Sequence, residues 1–414
     1  MKVLWLVSVT VPAAAQALGV AGGIGGGWLC GMLEQLKGRV ELAVCAVNSA
    51  VTAPAFAQVQ GVRYALLPQG ERADFEALLA RLQPDLVHIW GTEYPAASRL
   101  LEAAGPERTL ISIQGLMGPC AAHLTDGVPP CYLGSSAAQR AVDRLVPGGL
   151  LDKQQSFFDA QAEREAQLLS RALHVSGRTA WDREQLTRLA PRARYYFCGE
   201  VLRSSFYDDE WQGGPGQPVL FLSQGNYPLK GLHRLLQALP SVQRHWPGLK
   251  LRVAGWPPLD KGPALRPVIE WMFPYQRYLH RLARQLGLKN TLEYTGPLGE
   301  AAMKQAYLSS SIFLLCSSVE NSPNSLGEAM LLGMPCIASD AGGTASLLQD
   351  GRDGLLYPAQ DLQALASAIL RLLEDPALAR RLGQNARARA QEAFSPAANS
   401  AAMLAIYKTI CKEV

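Results

Sequence analysis

Residues 312–330 have the sequence IFLLCSSVENSPNSLGEAM, which carries the strongest structural signal in the chain. The apolar run Ile312–Leu315 predicts a short buried strand, and the polar residues after it predict a loop at the carboxyl end of that strand. Ser322 or Asn324 is suited to cap a following helix, which we expect to end at Gly333, because glycine commonly follows the last helical turn. The stretch therefore predicts a strand, a loop and a helix, the order typical of α/β proteins.

This loop also brings together groups that suit an anionic, hydroxylated ligand. The backbone N–H groups of Asn324 and Ser325 would lie at the start of the predicted helix, where the helix dipole favours a phosphate. Glu320 precedes that helix and Glu328 lies in its first turns. One carboxylate can therefore face a sugar while the other faces a second hydroxylated group. Taken alone, Glu328 is more typical of an ordinary solvated helix glutamate.

Short apolar runs alternate with amphipathic segments along nearly the whole chain. This alternation is typical of doubly wound parallel sheets, and the segment 212–218, QGGPGQP, has the composition of a linker between two such sheets. The predicted strands are Val3–Ser8, Val40–Val47, Leu86–Trp90, Leu110–Ile113 and Leu173–Val175 before that segment, and Val219–Leu222, Leu249–Ala254, Leu292–Tyr294, Ile312–Leu315, Pro335–Ala338 and Leu355–Tyr357 after it.

Length and composition restrict the class of protein. A chain of 414 residues is long enough for two or three domains, and its 48% hydrophobic content excludes disorder. The 39 Lys plus Arg against 35 Asp plus Glu give a net charge of only +4, which argues against nucleic acid as the main partner but suits an anionic ligand or a membrane surface. The eight cysteines have no C-x-x-C spacing and the six histidines no zinc-site spacing. We therefore expect reduced thiols, a cytoplasmic protein and no metal.

The start of the chain allows two interpretations. No charged residue occurs from Val3 to Leu33, and the small residues Ala13–Ala17 resemble the cleavage site of a secretory signal. The alternative is a first buried strand from Lys2 to Ser8 followed by a loop and a helix. We favour the strand, because cleavage would remove the natural first strand of the α/β pattern.

Two further stretches carry a resemblance to a known family. Residues 328–343, EAMLLGMPCIASDAGG, and residues 350–356, DGRDGLL, follow a pair of glutamates separated by seven residues. Together they resemble the donor-site signature of the family 4 retaining glycosyltransferases, also called glycosyl transferases group 1. Residues 219–232, VLFLSQGNYPLKGL, match the same family. The resemblance is strong from about residue 219 to residue 356 and moderate before it.

The resemblance implies the GT-B fold, in which two Rossmann-like doubly wound parallel-sheet domains face an interdomain cleft. The implied divisions are an acceptor-binding domain over residues 1–211, a linker over 212–218, a donor-binding domain over 219–394, and a terminal helix over 395–414 that crosses back to the first domain. Residues 115–149 form a long connection that we expect to build part of the acceptor pocket.

The resemblance also assigns donor-site roles. Glu320 would contact the donor sugar, Glu328 the ribose, and Lys230 the diphosphate, with Asn324 and Ser325 at the phosphate. Family members commonly carry an arginine where this chain has Gly225. We expect Arg203 or Arg178 to supply the missing charge; the alternative for each is an ordinary ion pair.

The acceptor side is assigned less completely. Gly22 and Gly23 resemble the glycine loop of the family near donor and acceptor, and Trp28 begins the helix after it. Gln114 occupies a position where many family members have a histidine, so the chain cannot use a histidine base there. Together with Glu93 and Trp28, Gln114 makes up the expected acceptor contacts.

The implied function is metal-independent, cofactor-free transfer of a sugar from a nucleotide-sugar donor, with UDP the commonest nucleotide in such enzymes, to a sugar or lipid-linked saccharide acceptor. Surface polysaccharide or glycoconjugate biosynthesis, in the cytoplasm or at the inner face of a membrane, is the expected setting. Two alternatives stay open: a GT-B sugar epimerase or phosphorylase, and a non-catalytic GT-B partner subunit that has lost the arginine and the histidine. The oligomeric state is not predicted.

Overall fold

The computed structural model describes residues 1–21, 26–143, 149–255 and 270–413, without the side chain of Trp28. Within these ranges the chain divides into two compact units. The first contains residues 1–118, 161–204 and 393–414, and the second contains residues 119–160 and 205–392. The predicted linker 212–218 therefore lies inside the second unit, and the domain bounds expected from the sequence stay predictions.

A mixed eight-stranded sheet forms the centre of the first unit, with strand order β3-β4-β2-β1-β5-β6-β7-β8. β3 pairs antiparallel with β4, and the other neighbours are parallel. The strands are β1 (Lys2–Val7), β2 (Glu41–Val47), β3 (Ala55–Val59), β4 (Val62–Leu67), β5 (Leu86–Trp90), β6 (Thr109–Ser112), β7 (His174–Gly177) and β8 (Arg194–Phe197).

A parallel six-stranded sheet forms the centre of the second unit, with strand order β11-β10-β9-β12-β13-β14. Its strands are β9 (Val219–Leu222), β10 (Lys250–Val253), β11 (Leu292–Tyr294), β12 (Ile312–Leu315), β13 (Cys336–Asp340) and β14 (Leu355–Pro358).

Helices connect the strands in both units, and two 3₁₀ turns, Pro130–Tyr132 and Pro228–Lys230, occur among the described residues. The helices are α1 (Pro12–Leu18), α2 (Gly27–Leu36), α3 (Arg72–Leu82), α4 (Pro95–Ala104), α5 (Met117–His123), α6 (Ala137–Asp143), α7 (Leu151–Ser170), α8 (Ala180–Leu189), α9 (Ser205–Asp208), α10 (Leu232–His245), α11 (Pro274–Gln285), α12 (Glu300–Leu308), α13 (Asn324–Leu331), α14 (Thr344–Leu347), α15 (Leu362–Glu374), α16 (Pro376–Ala393) and α17 (Pro396–Glu413).

The first strand shows why the sequence adopts this architecture. Lys2–Val7 is apolar after its first residue and buried along its length, as expected for a parallel strand covered on both faces. Trp5 pairs with Val44 of β2 and His88 of β5, so β1 lies in the middle of the sheet. The predicted strand at the start of the chain is therefore confirmed. One face of the sheet is covered by α17, through residues such as Tyr407.

All eleven predicted strands overlap strands of the structure. The prediction was wrong in omitting β3, β4 and β8. β3 alternates partly buried and exposed residues at the sheet edge, and β8 is a four-residue edge strand with only one buried side chain. Neither has the continuous apolar run by which the buried strands were recognised.

Candidate active site

Lys230 is positioned by a tight turn after β9. It ends the 3₁₀ turn Pro228–Lys230, and Gly231 follows in the left-handed conformation with φ of 70° as the N-cap of α10. A β-carbon at Gly231 would overlap the backbone carbonyl of Cys316, the residue after β12. Only glycine allows the turn to approach the neighbouring strand this closely. The close approach brings Lys230 beside the loop that follows β12.

Lys230 and Glu320 form a largely buried ion pair. The Lys230 ammonium donates to Glu320 Oε1 at 2.6 Å, with 19% and 13% of the two side chains exposed. Ser317 Oγ donates to the same carboxylate oxygen at 2.6 Å. Burial lowers the pKa of Lys230, but the Glu320 carboxylate and Tyr227 more than offset it and raise the pKa above the usual value. Lys230 is therefore a cation at neutral pH.

The loop after β13 holds the backbone of Glu320. The Gly343 N–H donates to the Glu320 carbonyl at 2.8 Å, and a β-carbon at Gly342, where φ is 61°, would overlap that carbonyl. Loops after β9, β12 and β13 thus meet at the carboxyl edge of the sheet, where ligands bind in open α/β sheets.

Helix α13 begins as predicted, at Asn324, but its cap differs from the prediction. Pro323 is the N-cap residue and no side chain caps the helix, so the expectation that Ser322 or Asn324 would do so was wrong. The first amides of a helix have no intrahelical acceptor, which leaves those of Asn324 and Ser325 suited to an anion. The side-chain oxygen of Asn324 is buried without a hydrogen-bond partner among the described residues.

Glu328 lies within the same helix and is only 7% exposed, so it is not a solvated surface residue. The hydroxyl group of Tyr307, from α12, donates to the Ser325 carbonyl at 2.9 Å and lies 3.5 Å from Glu328 Oε2. The Tyr307 hydroxyl therefore holds both the first turn of α13 and the Glu328 carboxylate in place.

A pocket of about 270 Å³ opens among these residues. Its walls are the ends of β9 and β12 and the facing sides of α12 and α13. It is lined by Leu222, Ser223, Gln224, Lys230, Met303, Tyr307, Leu315, Ser317, Ser325 and Glu328. The structure thus brings Lys230, Ser325 and Glu328 together around one cavity, with Glu320 bonded to Lys230. The sequence analysis singled out neither Ser317 nor Tyr307. Ser317 lies two residues after β12, and a polar residue so close to the end of a buried strand signals such a site. For Tyr307 the sequence offered no signal.

At Gly225, where the family resemblance leads us to expect an arginine, a larger side chain would meet the side chains of Leu232 and Val253. A β-carbon there would lie 2.7 Å from Leu232 Cδ2 and 3.0 Å from Val253 Cγ1. The neighbouring Gln224 lines the pocket instead.

In the first unit, the buried Arg178 contacts the partly buried Gln114 at the carboxyl edge of the sheet. Arg178 Nη2 donates to the Gln114 carbonyl at 2.9 Å, and Arg178 also pairs with Glu200, both side chains being almost fully buried. The charge of Arg178 is therefore balanced inside its own unit. A role for Arg178 at the diphosphate stays a prediction, as does the acceptor role of Gln114.

The other predicted residues of the first unit have different surroundings. The carboxylate of Glu93 accepts the Thr92 N–H at 2.8 Å, and burial raises the pKa of Glu93. Arg203 lies against Gly27 at the start of α2. Gly22, Gly23 and the side chain of Trp28 lie outside the described residues.

The ranges that the structure describes contain no group of three or more His, Cys, Asp or Glu side chains placed to hold a metal ion. The expectation that no metal or cofactor takes part stays a prediction. In the same ranges, no helix has the length and apolar character needed to cross a bilayer.

Comparison with known structures defines the class of fold. Sucrose-phosphate synthase from Thermosynechococcus elongatus superposes with a TM-score of 0.71 at 18% identity, over 100% of both chains. Anabaena HepE, solved in complex with UDP and glucose, gives a TM-score of 0.61 at 18% identity, over 99% of this chain and 100% of that one. The fold is that of the GT-B glycosyltransferases.

Comparison of sequences finds relatives for the second half of the chain. The family model described as glycosyl transferases group 1 matches residues 208–389 of this chain. Phosphatidyl-myo-inositol mannosyltransferase from Mycolicibacterium smegmatis is 28% identical over 200 residues, which are 47% of this chain and 46% of that protein. The matched segments span less than half of the length of the curated relatives.

Proposed function

We propose that this protein is a retaining, metal-independent glycosyltransferase that moves a sugar from a UDP-sugar to a saccharide or lipid-linked saccharide. The observation that carries the proposal is the arrangement of three charged residues in the segment that matches the group 1 family model. Lys230 and Glu328 line one pocket, and Glu320 forms an ion pair with Lys230. A cation, two carboxylates and a helix N-terminus are the groups that a sugar nucleotide requires.

The donor is bound by groups of the second unit. Lys230 and the amides at the start of α13 neutralise the diphosphate, and Glu328 accepts hydrogen bonds from the ribose hydroxyls. The unpartnered oxygen of Asn324 offers one more acceptor for a ligand hydroxyl. UDP bound to HepE, a protein of the same fold, supports uridine diphosphate as the nucleotide.

The chemistry consists of charge stabilisation and positioning. The bond between the anomeric carbon and the diphosphate oxygen breaks, and the acceptor oxygen bonds to that carbon on the same face. The acceptor proton passes to the leaving phosphate oxygen. Lys230 stabilises the negative charge that develops on the diphosphate. The Glu320 carboxylate orients the donor sugar by accepting hydrogen bonds from the sugar hydroxyl groups.

The acceptor would bind to the first unit, near Glu93 and Gln114. The phosphatidyl-inositol acceptor in the name of the Mycolicibacterium relative supports a lipid-linked acceptor and contact with a membrane surface. The small positive net charge agrees with such contact. Surface polysaccharide or glycoconjugate biosynthesis is the corresponding cellular role.

Glu320→Gln tests the proposal. The amide keeps the shape of the side chain but loses the charge that orients the sugar, so we expect turnover to fall at least about 100-fold while UDP affinity stays within a few-fold of wild type. Transfer to a panel of octyl glycosides and UDP binding by calorimetry are the measurements, with the nucleotide chosen by a thermal-shift screen of UDP-, GDP- and ADP-sugars.

Glu293→Gln is the matched control, because Glu293 is a 41%-exposed carboxylate of the same unit. Wild-type turnover in Glu320→Gln would contradict the proposal. A wild-type protein that binds no nucleotide would instead indicate a non-catalytic partner subunit, and conversion of the donor alone would indicate an epimerase.

A further inference from the structure

Glu165 is a buried carboxylate that the proposed reaction does not use. It projects from α7 in the first unit and is 1% exposed. The Thr92 hydroxyl donates to its Oε1, and the Met117 N–H donates to its Oε2 at 2.7 Å. The Gly118 N–H bonds to the same carboxylate. Three donors, one from the loop after β5 and two from the start of α5, therefore meet at one side chain.

The loop after β5 and the loop that leads from β6 into α5 carry the predicted acceptor contacts. Thr92 directly precedes Glu93, whose own carboxylate accepts the Thr92 N–H at 2.8 Å. Met117 follows Gln114 by three residues, and the Gln114 end of that loop is held by Arg178. The loop after β5 and the loop after β6 are thus joined to each other through Glu165.

We infer that Glu165 is a positioning residue for the acceptor: its carboxylate fixes the loop of Glu93 relative to the loop of Gln114. The inference rests on the proposed function, because it takes these two loops to be the acceptor side. Hydroxyl groups of a saccharide are recognised by directional hydrogen bonds, so a shift between the loops weakens several contacts at once. Glu165 itself does not touch the acceptor.

The geometry makes the arrangement sensitive to pH. Burial raises the pKa of Glu165 to about 7. The three hydrogen bonds favour the carboxylate and lower the pKa, but burial outweighs them. The charge of Glu93, from the loop after β5, raises this pKa further, and Arg178, after β7, faces Glu93. α5 contributes backbone amides. Protonation uses one of the carboxylate lone pairs, so we expect the two loops to loosen and acceptor KM to rise as the pH falls through about 7.

Glu165→Gln tests the inference, with Glu163→Gln on the exposed side of the same helix as the control. The first measurement is hydrogen–deuterium exchange of peptides containing Met117 and Gly118, which needs no substrate. We expect exchange in Glu165→Gln to be about ten-fold faster there than in wild type at the same pH, the effect of one lost hydrogen bond. We expect no change in the control.

The second measurement is acceptor KM and kcat from pH 5.5 to 8.5, with the octyl glycoside that wild type uses best and a saturating donor. Glu165→Gln should raise acceptor KM about ten-fold, abolish the inflection near pH 7 and leave UDP affinity unchanged. Thr92→Val, which removes one donor and keeps the charge, should raise KM by a smaller factor and keep the inflection.

The outcomes separate the inference from the proposed function. Wild-type exchange in Glu165→Gln overturns the inference whether or not any acceptor is turned over. Wild-type acceptor KM and an unchanged inflection in Glu165→Gln overturn it in an enzyme that does transfer sugar. A wild-type protein without nucleotide binding or transfer overturns the proposed function, while the exchange measurement still decides whether Glu165 holds the loops.

Discussion

Lys230 is the residue on which we expect binding of the proposed donor to depend most. It already has a partner in Glu320, at 2.6 Å, so a diphosphate has to compete with that carboxylate. A diphosphate carries more charge than one carboxylate and offers several oxygens, and the surrounding burial strengthens each interaction. The ion pair also holds Lys230 in place before the donor binds. The Glu320→Gln variant, which lacks this competing carboxylate, should therefore bind UDP with unchanged or slightly higher affinity.

Lys230→Met is the corresponding test of the cation. Methionine keeps most of the length of the lysine side chain but removes its charge. We expect UDP to bind about 30- to 150-fold more weakly, which corresponds to about 2–3 kcal/mol from one lost charge-assisted contact. Calorimetric titration with UDP measures this change. Lys289→Met, at an exposed lysine of the same unit, is the control.

The Lys230→Met variant also leaves the Glu320 carboxylate without its cation, which lowers stability on its own. The double variant Lys230→Met with Glu320→Gln removes this effect, and it should bind UDP as weakly as the single variant. UDP affinity equal to that of wild type in both variants would exclude Lys230 from the donor site.

At the scale of the elements, the turn between β9 and α10 determines where Lys230 lies. Gly231 combines a left-handed backbone with a close approach to the Cys316 carbonyl, and these two constraints have separate costs. The left-handed conformation alone costs about 1–2 kcal/mol for a residue with a β-carbon. The overlap with Cys316 adds a cost typical of overpacking, about 1–3 kcal/mol.

Gly231→Ala should therefore lower the free energy of unfolding by about 3 kcal/mol and weaken UDP binding. Gly287 is a matched control, because its φ is 69° but nothing lies within 4 Å of a β-carbon there. Gly287→Ala should cost only about 1–2 kcal/mol and leave UDP affinity unchanged. Urea unfolding of the two variants measures the difference. Equal costs would show that the approach to Cys316 is not a constraint.

The sequence predicts an element well when the element depends on residues that are neighbours in the chain, and poorly when it depends on contacts with distant residues. Buried strands such as β1 and β12 were recognised because both faces are covered and their residues form continuous apolar runs. The edge strand β3 has no such run and takes its conformation from pairing with β4. The capping of α13 was mispredicted because Pro323 supplies the N-cap backbone without any side-chain bond. Patterns within the sequence carry no information about such pairings.

The candidate site shows the same limit. Glu320, Glu328 and Lys230 were identified from the family pattern, but their contacts depend on loops that are distant in sequence. Glu165 was not noticed, because a glutamate in an amphipathic helix is normally solvated. Thr92, in the loop after β5, and Met117, at the start of α5, donate hydrogen bonds to it from positions distant in sequence.

At the scale of the whole molecule, the composition of residues 212–218 predicts a boundary between two domains, and the family model matches from residue 208. The structure assigns residues 119–160 to the second unit as well. Tyr132 stacks near Tyr278 of α11 with ring centroids 5.1 Å apart, and the Asp126 carbonyl bonds to His233 Nε2 at 3.0 Å. These contacts join residues more than 100 positions apart, so no local pattern indicates them.

The consequence is that residues 205–392 should not form a stable unit alone. Without residues 119–160, the buried side chains Val128, Tyr132 and Leu151 no longer cover the core of this unit. At about 1.5–3 kcal/mol for each of the three, the loss is about 5–9 kcal/mol, as large as the stability of a typical domain. His233, whose pKa burial lowers to about 4, would also lose its carbonyl partner.

We therefore expect the isolated segment 205–392 to unfold without a cooperative transition in urea, as followed by tryptophan fluorescence. A chain in which residues 119–160 are joined to this segment by a glycine- and serine-rich linker should regain a cooperative transition, because the linker restores the apolar contacts at a modest entropic cost. If the isolated segment unfolds cooperatively with the same midpoint as the joined chain, residues 119–160 contribute nothing to the second core. The donor site would then be self-sufficient within the matched family segment.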